Sequence, residues 1–244
     1  PLIWQSVPTL FERASAEGIS TSQISAKRYE GTGFTRAALR GANYVGANLI
    51  SEISDEAAKV LRKEKSFAYV YINHLDVAGH EDGVGSEKWL LALATVAKLL
   101  TELKEKLPPG TRVWVTADHG MVNADEIIIF GKDNDLDKDV TLYGGEPRAR
   151  HLYVRDGAAR DVISRYRNYL GTKAEVLSKD EAISNNLFGN QMSIDSEERI
   201  GDIIVIANGG LILVDPERVK EEAGMVGHHG GLSEVERLIP LLAY

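Results

Sequence analysis

Two runs of consecutive apolar, β-favouring residues organise the chain: Phe67-Ala68-Tyr69-Val70-Tyr71-Ile72 and Val113-Trp114-Val115-Thr116. Uninterrupted runs of this kind read as strands buried on both faces of a parallel sheet. Between them, residues 86–107 have helical periodicity and are stopped by Pro108-Pro109-Gly110. Strand, long helix, strand is a βαβ unit, which implies parallel strands joined by a right-handed crossover. Upstream, Leu10, Phe11 and Ala14 share one helical face, so the spacing predicts a helix from Thr9 to Gly18 with Thr9 as its cap. A strand over Ile19–Ala26, a turn at Gly31-Thr32-Gly33, a helical stretch over Thr35–Leu39 and a long helix from about Ile50 to Lys63 follow.

From Val122 to Gly224 the pattern shifts to shorter strands, helices and polar turns. His151–Val154, Lys173–Leu177 and Asp202–Ala207 read as strands and Arg160–Leu170 as a helix. Asp202–Ala207 is expected to pair with Leu211–Val214 as a hairpin across Asn208-Gly209-Gly210. The expected organisation is an α/β parallel-sheet core, residues 1–121 and 225–244, carrying an inserted α+β cap, residues 122–224. The Gly/His-rich loop Gly227–Gly231 and the apolar tail Leu238–Ala243 would return the chain to the core sheet.

Composition narrows the function classes. The net charge of −8 argues against holding long nucleic acid on a basic surface. With no Cys, the 244-residue chain has no disulfides, no thiolate nucleophile and no Cys-type zinc site. No apolar run approaches the roughly 18 residues of a membrane span.

In open parallel sheets, functional groups gather beyond the carboxyl ends of the strands. The first apolar run continues as Asn73-His74-Leu75-Asp76-Val77-Ala78-Gly79-His80, and the second as Ala117-Asp118-His119-Gly120. Gly227-His228-His229-Gly230-Gly231 supplies two further imidazoles. Asp and neutral His are ligands that Zn²⁺ and similar ions accept. Asp76 and His80 are four apart, so one helical turn aims both at a common point. Each segment alone has an ordinary explanation, since Asp caps helices and turns and a His near a sheet edge is often a satisfied polar group. Convergence of three separated segments has no structural need unless something binds there.

These segments, Tyr71–His80, Val115–Met121 with its Ala117-Asp118-His119-Gly120-Met121 block, and Gly227–Gly231, resemble three metal-binding blocks of the alkaline phosphatase superfamily, in its type I phosphodiesterase/nucleotide pyrophosphatase branch. The resemblance spans nearly the whole chain. It implies that Asp76, His80 and His229 hold one zinc and that Asp118 and His119 hold a second, with Mn²⁺ as the alternative metal. His229 is preferred to His228 because the family's ligand directly precedes the Gly, and His74 is the runner-up ligand. In the family the second ion also takes an Asp and a Ser or Thr nucleophile from a segment upstream of the one resembling Thr9–Ile19. Thr32 and Thr35 lie in the wrong chain order for that role. The missing nucleophile segment implies that the chain is the carboxyl-terminal part of a longer enzyme; Pro1-Leu2-Ile3-Trp4 is no signal peptide, a targeting segment could precede it, and the location is left open with the cytoplasm favoured.

The implied activity is metal-dependent hydrolysis of a small phosphate ester or nucleotide. The rivals are a non-catalytic metal-binding or interaction fragment and a phosphonate or sulfate-ester hydrolase of the same superfamily. No Arg is assigned to the phosphate, which leaves monoester and diester both open.

Overall fold

The computed structural model describes residues 3–244, which divide into two compact units. The first comprises residues 3–77, 87–113 and 243–244, and the second residues 78–86 and 114–242.

In the first unit, α1 (Leu10–Ala16) begins at Thr9, whose hydroxyl accepts the Glu12 N–H while the Glu12 carboxylate accepts the Thr9 N–H. This capping box satisfies two of the amides that a helix start leaves open. β1 (Ser20–Ser25), α2 (Gly33–Ala38), β2 (Asn43–Gly46), α3 (Ile50–Val60) and β3 (Ser66–Val70) follow. β1 is central and pairs in parallel with β2 on one side and β3 on the other. α4 (His74–Asp82) leaves this sheet, and α5 (Glu87–Lys106) packs on α3. Ile24, Ala47, Ile53, Ala57, Leu99 and Leu103 form the buried core of this layer.

Two expectations about the apolar runs need correction. β3 and β4 (Trp114–Thr116) are not buried on both faces: Phe67 and Trp114 are 46% and 65% exposed. β3 is an edge strand whose outer residues Phe67 and Tyr69 lie against the single ring of Phe11, with centroids 5.9 and 6.1 Å away. Nor do the two runs pair with each other among the described residues: β3 pairs with β1, and β4 pairs with β13 (Leu241–Ala243). The parallel sheet instead comes from the βα repeats upstream.

The second unit contains β5 (Val122–Asn123), β6 (Glu126–Ile129), β7 (Val140–Glu146), β8 (Ala149–Val154), α6 (Ala159–Leu170), β9 (Ala174–Ser178), α7 (Lys179–Ser184), α8 (Ile194–Glu198) and β10 (Ile203–Ala207). β11 (Leu211–Val214), α9 (Val219–Glu222), β12 (Gly227–His228) and α10 (Glu234–Arg237) complete it. An antiparallel sheet runs β7-β8-β10-β9. β10 is wholly buried because each face is covered: Ile203 and Val205 pack in the cluster with Val162, Tyr166 and Leu170 of α6, and Ile204 and Ile206 in the cluster with Ala182 of α7. The spacing of four between Val162, Tyr166 and Leu170 puts them on one helical face.

The expected hairpin between 202–207 and 211–214 does not form. Both edges of β10 are taken by β8 and β9, so β11 pairs instead with β6, in parallel. Two fully buried arginines, Arg148 just before β8 and Arg150 within it, reach across to β11. Arg148 Nη1 donates to Leu211 O at 2.7 Å and Arg150 Nε to Leu213 O at 2.8 Å. Each also meets a buried glutamate: Arg148 pairs with Glu236 and Arg150 with Glu222. Such charges are tolerated inside a protein only when paired and hydrogen-bonded.

Among the described residues, no helix is long and apolar enough to cross a membrane.

Candidate metal centre

α4 starts directly after the parallel sheet, its first helical bond running from Val77 N–H to Asn73 O. Asp76 and His80 stand one turn apart on it, as their spacing requires. Its end is fastened by Asn123 of β5, whose side-chain amide accepts the Val84 N–H at 2.7 Å and donates to Val84 O at 3.1 Å. β12 meets the same helix. Val226 N–H donates to His80 O at 2.7 Å, and a Cβ placed on Gly227 would lie 2.3 Å from Gly79 O. Only a glycine permits that approach.

The result is a cluster of one carboxylate and two imidazoles. One ligand atom from each of Asp76, His80 and His229 lies within 4.8 Å of the others, and all three residues are half-buried. The His80 and His229 rings are 5.2 Å apart. His80 Nδ1 is 2.8 Å from Gly227 O. A carbonyl only accepts, so Nδ1 carries the proton and Nε2 presents its lone pair. Fixing the tautomer through the far nitrogen is the usual support of a metal-ligating histidine. The donor set of one carboxylate oxygen and two imidazole nitrogens suits Zn²⁺ or a similar borderline cation.

His119 lies beside this cluster, its ring stacked on His229 at 3.5 Å and 15°. Its Nδ1 lies 2.9 Å from Gly120 O, which by the same argument leaves Nε2 as the lone-pair nitrogen. Asp118 is the outlier of the expected set. Its side chain is 71% exposed, with Oδ1 3.7 Å from His119 Nε2. The structure thus gathers Asp76, His80 and His229, sets His119 against His229, and leaves Asp118 outward.

The alternatives fall elsewhere. His228 is 1% exposed, its Nε2 3.3 Å from Met225 O, and burial pushes its pKa down. His74 is exposed at the start of α4. Thr32 and Thr35 have structural duties: Thr32 caps α2 by accepting the Thr35 N–H, and the Thr35 hydroxyl donates to Tyr29 O at 2.8 Å.

Sequence reasoning missed Glu236. Its carboxylate accepts from Gly231 N–H, Ser233 Oγ and Arg148, and its backbone carbonyl accepts from Gly120 N–H. The Ser233-x-x-Glu236 spacing is a helix-start signal that marks Glu236 locally. Nothing in the sequence connects it to Arg148, 88 residues away.

Known structures share this arrangement of elements. An inactive variant of murine ectonucleotide pyrophosphatase/phosphodiesterase 5, in complex with AMP, superposes with a TM-score of 0.68 at 15% identity, covering 95% of this chain and 62% of that one. The human ectonucleotide pyrophosphatase/phosphodiesterase 5 gives 0.66 at 15% identity over 95% and 62%. Phosphonoacetate hydrolase from Sinorhizobium meliloti, in complex with phosphonoformate, gives 0.64 at 18% identity over 96% and 67%. The chain thus spans about three fifths of the length of the first two. These likenesses establish an alkaline-phosphatase-like α/β fold. No curated protein matches the sequence. The sequence itself matches the type I phosphodiesterase/nucleotide pyrophosphatase family over residues 13–232, and the chain belongs to that family.

Proposed function

We propose that the protein containing this chain is a metal-dependent hydrolase of phosphate esters, acting on a nucleotide-like diester or pyrophosphate. The observation that carries this reading is the convergence of Asp76, His80 and His229 ligand atoms within 4.8 Å, with the His80 tautomer set by Gly227 O. Family membership supports the reaction class.

Asp76, His80 and His229 would hold one divalent ion, and Asp118 with His119 would serve a second. Three protein ligands leave a coordination position for substrate or water, the pattern of catalytic rather than structural zinc. Bound ions at such a site supply charge neutralisation on a phosphoryl oxygen and a nucleophile activated at neutral pH. The chain's own part is to orient. α4 sets the Asp76–His80 pair, and the Gly227 and Gly120 carbonyls hold Nδ1 of His80 and His119 as the proton-bearing nitrogen, which turns Nε2 toward a ligand. No nucleophile is assigned within these 244 residues, so we propose that the isolated chain binds metal without turning over ester. We also propose residues 122–224 as the cap that selects the substrate.

The test is turnover of p-nitrophenyl phosphate, bis(p-nitrophenyl) phosphate, phosphonoacetate and a sulfate ester by the full-length protein, with and without Zn²⁺ or Mn²⁺. Metal-dependent diester cleavage, lost in Asp76→Asn, is the expected result. Preference for phosphonoacetate would favour the reaction of the Sinorhizobium meliloti neighbour. Inactivity on every ester with metal bound would favour a binding module.

A further inference from the structure

The residue touching both ligand loops of the second unit is Glu236. It is 1% exposed at its side chain, and its bidentate partner Arg148 is wholly buried, with Nε–Oε1 2.9 Å and Nη2–Oε2 2.8 Å. The carboxylate also accepts the Gly231 N–H at 2.8 Å, two residues after His229. On the other side, its backbone carbonyl accepts the Gly120 N–H at 2.8 Å, directly after His119. Both loops are pressed close against this residue. A Cβ on Gly231 would stand 2.8 Å from Arg148 Nη2 and from Glu236 Oε2, and one on Gly120 would stand 1.9 Å from Val235 O. Burial pushes the Glu236 carboxyl upward, but the Arg148 guanidinium, Ser233 hydroxyl and Gly231 amide more than offset this and hold it below the usual carboxylate range. It therefore stays ionised at neutral pH.

A helix of four residues does not need a buried guanidinium to cap it. Arg148 reaches Glu236 from the turn between β7 and β8, where its own carbonyl accepts the Ala207 N–H at the end of β10, and so connects the antiparallel sheet to two loops that otherwise end in glycines. We propose that the Arg148–Glu236 ion pair is a positioning strut that sets His119 and His229 against each other. It makes no contact with metal or substrate and acts through the Gly120 and Gly231 backbones. The proposal rests on the reading of the metal centre given above.

The neighbouring pair Arg150–Glu222 provides the control. It is as deeply buried, with Arg150 two residues further along in β8, but its other partners are Leu213 O, Gly145 O, Asp215 N–H and Arg218, none of them in a ligand loop. Replacing both members of either pair, Arg148→Met with Glu236→Gln or Arg150→Met with Glu222→Gln, removes one buried positive and one buried negative charge and strands neither. Cobalt(II) is the probe, because its visible absorption reports ligand geometry as well as affinity.

The 148/236 variant is expected to bind Co²⁺ at least about ten-fold more weakly, the typical lower bound for losing an outer-shell support, with an altered visible band. The 150/222 variant should stay within about three-fold of the parent. Ser233→Ala removes one donor to the same carboxylate, leaves the ion pair intact, and should weaken binding about three-fold even where the 148/236 variant fails to fold. Unchanged Co²⁺ affinity and spectrum in the 148/236 variant, equal weakening by both pairs, or an unchanged Ser233→Ala would each overturn the strut. Absence of Co²⁺ binding by the parent chain would instead overturn the metal centre itself, and the strut with it.

Discussion

Gly227→Ala is the sharpest steric test of how the proposed ligand set is assembled. The backbone at Gly227 is in an ordinary region, so the substitution adds no torsional strain and acts only through the methyl group. That methyl carbon would stand 2.3 Å from Gly79 O and 2.5 Å from Met121 Sδ. Contacts of this type relax at about 3.5 Å, so β12 and α4 must part by roughly 1 Å. Met121 can rotate away, but the Gly79 carbonyl belongs to the helix backbone and cannot. The displacement falls between His80, next to Gly79, and His229, two residues past Gly227. It stretches the 2.8 Å His80 Nδ1–Gly227 O bond and the 2.7 Å Val226 N–His80 O bond beyond useful length. Overpacking of this size costs about 1–3 kcal/mol of stability. Loss of the tautomer-setting bond should lower metal affinity about 10–100-fold. Urea unfolding measures the first and Zn²⁺ titration against a chromogenic chelator the second. A Gly227→Ala variant with parental Zn²⁺ affinity would refute the argument that this close approach builds the site.

Other substitutions probe the scaffold. Arg150→Met alone takes the buried guanidinium from the Glu222 carboxylate, leaving it the Asp215 N–H and the half-exposed Arg218 at 3.4 Å, and should cost about 3–5 kcal/mol in urea unfolding, largely recovered by adding Glu222→Gln; a loss below about 1 kcal/mol would contradict this. Gly33 lies at the open first turn of α2 with nothing near its Cβ position, so Gly33→Ala should stabilise by about 0.4–1 kcal/mol, and a lower unfolding midpoint would count against it. Burial pushes the His151 pKa down, and its Nδ1 accepts the Gly201 N–H at 3.1 Å. The unfolded chain then binds the proton more readily. The contribution of His151 is thus complete above about pH 6.5 and declines as pH falls below it. The acid loss of thermal midpoint should be smaller in His151→Gln, and an identical pH profile in the two proteins would remove His151 as the cause.

The sequence made Asp76 and His80 legible as a pair because helical spacing is a local property, and α4 realises it. Choosing His229 over His228 needed the family resemblance, since adjacent residues on one segment carry no spacing signal. The helices at Thr9, Ile50 and Ser86 were readable from caps and periodicity, within a few residues at their ends. Strand partners were not. The Asn208-Gly209-Gly210 turn has the chemistry of a hairpin, yet β10 finds better-matched edges in β8 and β9, and pairing is decided by that competition. β6, Glu126-Ile127-Ile128-Ile129, is short enough to pass as loop and becomes a strand by pairing with β11. Arg148 and Arg150 were invisible for a different reason. A buried arginine looks like a surface arginine until its glutamate is found far along the chain. Exposure of Phe67 and Trp114 likewise depends on what covers a strand, which composition does not encode.

Asp76, His80 and His229 are proposed to hold a divalent ion. Zn²⁺ titration of this 244-residue chain by chelator competition tests this most directly, in parallel with single Ala variants at positions 80, 228 and 229. One saturable site is expected, weakened at least about ten-fold in His80→Ala and His229→Ala and by less than about three-fold in His228→Ala. Two tight sites, binding insensitive to His80→Ala and His229→Ala, or a larger loss in His228→Ala than in His229→Ala would contradict the proposal.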